Sequence, residues 1–135
     1  MSDDIILEIK KAEKKIGKDA LLQYIKKINS NTNFEYNLII VLVSQYFELS
    51  EIEILKGNKS NAVDAKKIIA YLLYRKTTLS NKQIYQKLNI TDRTLRRYKK
   101  DIFTIIVNPK LYPKLYKSYS EILQMFNEKI INHGK

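Results

Sequence analysis

The amino-acid sequence predicts an all-α domain built around a helix-turn-helix, with an extra helix at each end. Two observations predict it. Apolar residues recur at steps of three and four along most of the chain, and helix-capping signatures at Ser50, Ser80 and Thr91 stand directly ahead of such stripes. At 135 residues the chain is long enough for one domain with one core. It divides into an N-terminal helical segment (1–33), a core carrying the helix-turn-helix (34–103) and a C-terminal helix (104–135).

In order, residues 3–28 read as helix, with Ile5, Ile9, Ala12 and Ile16 on one stripe and Leu21, Tyr24, Ile25 and Ile28 on the next, and with Gly17 as a point of bending. The polar run 29–33 reads as a loop whose Thr32 or Asn33 caps a second helix ending about Phe47. That helix contains the apolar run 38–43, whose β-branched residues suit a strand as well. Ser50 and Glu53 form a capping box, stapled by Leu49 and Ile54, for a short helix that stops near Gly57. A basic loop, 56–61, leads to a helix over 62–74 with Ala65, Ile68, Ile69 and Leu72 inward.

The next two helices carry the most specific local grammar. Ser80 caps the first, Gln83 completes its capping box, and Leu79 and Ile84 staple it. Thr91 caps the second, stapled by Ile90 and Leu95. Ile84, Leu88, Leu95, Tyr98 and Ile102 fall at helical spacing for a shared core, which leaves Arg93, Arg96, Arg97 and Lys100 on the opposite face. After Phe103 the stretch 104–109 reads as extended or irregular, and Pro113 precedes a last helix over 114–131. There Tyr112, Tyr116, Tyr119, Leu123, Phe126 and Ile130 fall at the period of a coiled-coil seam. Tyr119, Leu123 and Phe126 are accordingly candidates for a homodimer contact, aided by residues 3–16; packing of the seam on the parent core is the alternative.

Charge is distributed unevenly. Residues 56–117 contain sixteen Lys or Arg against three acids, whereas residues 1–50 carry seven of each sign. Three of the four arginines lie within five residues, at 93, 96 and 97. A planar guanidinium differs most from an ammonium where a bidentate contact is made, as to guanine in a major groove. A surface built for solubility alone would mix the signs, so the cluster points to nucleic acid. Arg93, Arg96, Arg97 and Thr94 are the expected base contacts; Lys59, Lys82, Thr91, Lys99 and Lys100 are the expected phosphate contacts.

Further residues carry a resemblance. Gln45-Tyr46-Phe47 is followed by Ser50 to Ile54, then by the basic loop, then by Ala65-Lys66-Lys67-Ile68-Ile69-Ala70-Tyr71-Leu72 and by Ser80 to Ile84. In that order, over residues 38–102, these blocks resemble the C-terminal DNA-binding domain of the bacterial replication initiator DnaA, a helical domain with a helix-turn-helix of Trp-repressor type. The resemblance implies double-stranded DNA as partner. It also implies a minor-groove contact from the basic loop, at Lys59 with Lys56 nearby. It stops at the recognition helix, where residues 90–95 share only Thr94 with that family's signature, so recognition of its origin box is not implied. Nor is its ATPase module: the chain has three glycines and no G-x-x-x-x-G-K-[ST] phosphate loop.

Other classes find little in the chain. Cysteine is absent, so neither a disulfide framework nor a thiolate metal site is expected. His133, the only histidine, sits near the end of the sequence, and Asp64, Asp92 and Asp101 lack the spacing of a paired-carboxylate site. No enzyme, metal, cofactor or small-molecule ligand is therefore expected. The sequence opens acidic with no signal peptide, and its longest apolar run is too short to span a bilayer, which predicts a cytoplasmic protein. The expected function is sequence-specific DNA binding as a transcriptional regulator or accessory factor. Two alternatives stay open: a protein-interaction module using the terminal helices, and a single-stranded nucleic-acid binder using the tyrosines among the lysines of 110–117.

Overall fold

A computed structural model describes residues 20–133, with side chains from Phe34 to Asn132. Six helices and no strand occur among the described residues. They are α1 (Ala20–Phe47), α2 (Glu51–Lys56), α3 (Ser60–Lys76), α4 (Asn81–Lys87), α5 (Asp92–Val107) and α6 (Pro113–His133). The stripe expected at residues 5–16 and the bend at Gly17 lie outside the described residues. None of the helices is long and apolar enough to cross a membrane.

The organising element is α3, which packs against all five other helices. Surrounded in this way, it cannot bury a single stripe. Ala65, Ile68, Ile69, Ala70, Leu72 and Leu73 are all fully buried, and Ala62, Lys66 and Tyr71 nearly so. A helix buried on nearly every side through its middle, from 65 to 73, belongs at the centre of a bundle. Around it, α1 contributes Phe34, Leu38, Ile39, Ile40, Leu42 and Val43, so the β-branched run is helical and not a strand. On α6 the inward residues are Leu115, Ser118, Tyr119, Ile122 and Phe126. Tyr119 meets Tyr71 edge to face at 5.7 Å, and the Tyr46 hydroxyl donates to Glu121 at 2.9 Å, tying α1 to α6.

Several expectations are corrected. Residues 29–33 are not a loop but lie within α1. Asn, Ser and Thr each cost less than about 0.7 kcal/mol relative to Ala in a helix, and with no Gly or Pro among them five such residues do not stop one anchored by the buried stripe that follows. Residues 104–107 continue α5, because Ile105 extends the inward series Leu95, Tyr98, Ile102 by one more turn. The helix ends at Asn108, where the following Pro109 disfavours helical backbone. The α6 stripe is rotated from the expected seam: Tyr112 is exposed, and Ile122 takes an inward place that the seam gave to Leu123. Tyr119 and Phe126 are buried in the protomer's own core, with Leu123 half-buried against it. The last helix thus packs on α1, α3 and α5 of the same chain.

Candidate nucleic-acid interface

The two-helix unit rests on local hydrogen bonds. Ser80 Oγ accepts from the Gln83 N–H at 3.1 Å while the Gln83 side chain accepts from the Ser80 N–H at 2.8 Å, which satisfies two of the donors orphaned at a helix start. After α4 the chain reverses through Asn89 at φ 56. The Ile90 N–H bonds to Tyr85 O at 3.0 Å and the Asn89 N–H to Gln86 O at 3.2 Å, the paired bonds of a Schellman closure. Thr91 then caps α5, its Oγ1 accepting from the Thr94 N–H at 3.1 Å and donating to Thr94 Oγ1 at 2.9 Å. Ile84, Leu88, Leu95, Tyr98 and Ile102, the expected shared core, are all buried.

With that core beneath it, α5 turns Arg93, Arg96, Arg97 and Lys100 to solvent. Arg93 and Lys100 have no side-chain partner among the described residues. Arg96 pairs with Asp92 at 3.0 Å across one turn, with both side chains more than half exposed, a contact too weak to hold the guanidinium against a competing ligand. Arg97 lies 5.6 Å from the Tyr98 ring centroid. Thr94 is half-buried, and Thr91 and Thr94 spend their hydroxyls mainly on the cap. Lys82 is exposed in the first turn of α4.

Lys99 is placed otherwise than expected. Its ammonium sits 4.2 Å from the Tyr74 ring centroid and donates to Asn81 Oδ1 at 3.2 Å, so it braces α3, α4 and α5 together. Lys67 does similar work lower down, pairing with Asp101 at 3.0 Å and lying 5.9 Å from the Tyr98 ring. These braces were not legible in the sequence, where a lysine's partner at a separation of 18 or 34 residues leaves no periodic trace.

The basic loop is held as well. Lys66, buried on α3, donates to Gly57 O at 2.9 Å. Gly57 itself has no room for a side chain: a Cβ would press on the Glu53 carbonyl and stand 2.7 Å from Ala62 Cβ. Lys59 is the N-cap of α3, without a side-chain cap bond, and is exposed. Two shallow depressions flank this helix start and share Ser60 as a wall. One is lined by Lys56, Lys59 and Asn61, the other by Lys100, Thr104 and Lys114. The basic loop and the Lys100 edge of α5 therefore border the same end of α3.

Acidic groups are sparse here. Burial raises the Asp64 carboxyl above its ordinary range, against the opposing pull of Lys67 and Lys114. Asp101 is engaged by Lys67. No cluster of His, Asp or Glu able to hold a metal occurs among the described residues. No family model, curated protein or solved structure matches this chain.

Proposed function

We propose that this chain binds double-stranded DNA sequence-specifically, with α5 in the major groove, and serves as a transcriptional regulator or accessory DNA-binding factor. The observation that carries the reading is the division of α5 into two faces. Leu95, Tyr98, Ile102 and Ile105 are sequestered, while three arginines and a lysine project on the other side from a helix entered through a tight capped turn. Arg93, Arg96 and Arg97 supply the bidentate donors for base edges, with Thr94 beside them. Lys59, Lys82 and Lys100 supply phosphate contacts, with Thr91 at the helix start. The likeness of residues 38–102 to the DnaA C-terminal domain supports the same ligand and suggests that Lys59 lies along the minor groove.

A single-stranded ligand is the weaker reading, since of the tyrosines among the lysines of 110–117 only Tyr112 is exposed and Tyr116 is half-buried. A salt titration of binding to random duplex tests the proposal, followed by selection and sequencing of genomic fragments. A steep fall of affinity with salt and an enriched sequence are expected. Salt-insensitive binding, or no enrichment, would refute it.

A further inference from the structure

Between Ser80 and Lys100 the chain carries seven Lys or Arg and a single acid, Asp92. That acid stands in the first turn of α5, where its Oδ2 meets Arg96 Nη2 at 3.0 Å. Of the three clustered arginines, Arg96 alone is paired with a carboxylate among the described residues; Arg97 lies beside the Tyr98 ring instead. A first-turn acid complements the helix dipole, but the start of α5 does not depend on Asp92, since Thr91 supplies the cap through its own hydroxyl. On a face that meets a polyanion, a carboxylate opposes binding wherever it lies near a phosphate. It contributes only where donors surround it.

We propose that Asp92 and Arg96 read two neighbouring bases as a unit, Arg96 taking N7 and O6 of a guanine and Asp92 accepting from the exocyclic amino group of an adjoining cytosine or adenine. This rests on the DNA-binding reading and names what that site selects. An ionised carboxylate only accepts, whereas a guanidinium carries several donors in a fixed fork. With one nitrogen bound by Asp92, the rest of the fork remains for a base, so docking leaves the pair intact. In the major groove guanine presents only acceptors, thymine an acceptor and a methyl group, and cytosine and adenine a donor amino group. Asp92 therefore disfavours guanine and thymine at the position it faces, while Arg96 selects guanine at its own.

The spacing fits neighbouring bases. Four residues of helix rise about 6 Å, less than two base-pair steps of about 3.4 Å each. The pair is weak in water, where both side chains are more than half exposed. Inside a groove that excludes solvent the same charges attract more strongly, so Asp92 acts as a positioning residue for Arg96 only when DNA is bound.

Selection from random duplex by wild type, Asp92→Ala, Arg96→Ala and the double variant tests this, followed by replacing each guanine of the selected site with 7-deazaguanine, which lacks the N7 acceptor. Wild type should select guanine beside cytosine or adenine and lose at least about tenfold in affinity when that guanine is replaced. Arg96→Ala should be indifferent to the same replacement. Asp92→Ala should accept all four bases at the adjoining position and suffer a smaller penalty at the guanine, and the double variant should lose less than the two single losses combined. Asp92→Asn, uncharged and of the same shape, should move the adjoining preference to adenine, and circular-dichroism melting checks that each variant folds. An unchanged selected sequence in both Asp92→Ala and Asp92→Asn overturns the reading pair and leaves DNA binding standing, as does full additivity of the two losses. A wild type that selects no sequence refutes the DNA-binding reading, and the pair falls with it.

Discussion

The Lys99 ammonium stands over the face of Tyr74, 4.2 Å from its centroid, while its neighbour Lys100 projects freely into solvent. Adjacent lysines on one helix thus have different tasks. Replacing Lys99 by alanine removes a cation–π contact and the bond to Asn81, and should lower stability by about 1 kcal/mol with little effect on the salt dependence of DNA binding. Lys100→Ala should leave stability unchanged and flatten the salt slope by about one unit. Urea denaturation and a salt titration of both variants separate the two outcomes.

Alanine at Arg93, Arg96 or Arg97 should weaken binding to a selected duplex by about 1 to 3 kcal/mol wherever a bidentate base contact is lost. All three side chains are exposed, so melting temperatures should hold. Undiminished affinity in all three variants would show that α5 is not the reader.

Two non-glycine residues adopt left-handed backbone, Glu48 at φ 55 and Asn89 at φ 56. Both close a helix by the same bond pattern, with Leu49 N–H to Ser44 O at 3.0 Å in the first case. Asparagine tolerates this region better than glutamate does. Glu48→Gly should therefore stabilise the fold by about 0.5 to 1 kcal/mol, and Asn89→Ala should destabilise it by about 1 kcal/mol. Thermal unfolding monitored by circular dichroism reads both shifts; a neutral Asn89→Ala would mean that the turn does not constrain the unit.

Burial pushes the Tyr119 phenol up to about 12, with Tyr71 adding to the shift and Arg75 opposing it. The raised value means that the unfolded chain loses this proton first. The associated stability is present below pH about 10 and is lost as pH rises through about 12. Tyr119→Phe should flatten that alkaline loss, and ultraviolet titration at the phenolate band should lose its latest-ionising component. An unchanged alkaline profile would place the sensitivity elsewhere.

What was legible in the sequence is what is local. The caps at Ser50, Ser80 and Thr91 and the inward series from Ile84 to Ile102 all depend on residues within a few positions of one another, and each is found in place. The exposure of Arg93, Arg96, Arg97 and Lys100 followed from the same periodicity. The burial of α3 on nearly every side did not, because it is a property of five neighbours and not of one stripe. For the same reason the β-branched residues 104–107 read as irregular, although the packing of Ile105 makes them helical. The brace at Lys99 was not legible because its partners Tyr74 and Asn81 are remote in sequence.

The bond from Lys66 to Gly57 has a kinetic corollary. A segment tethered from beneath by a sequestered ammonium, at a residue with no space for a β-carbon, enters an encounter already shaped. Lys56 and Lys59 then sacrifice side-chain freedom but little backbone freedom on meeting a polyanion. If the chain binds DNA as proposed, capture through this segment would proceed at the pace of diffusion and electrostatic attraction, without waiting for a chain to arrange itself.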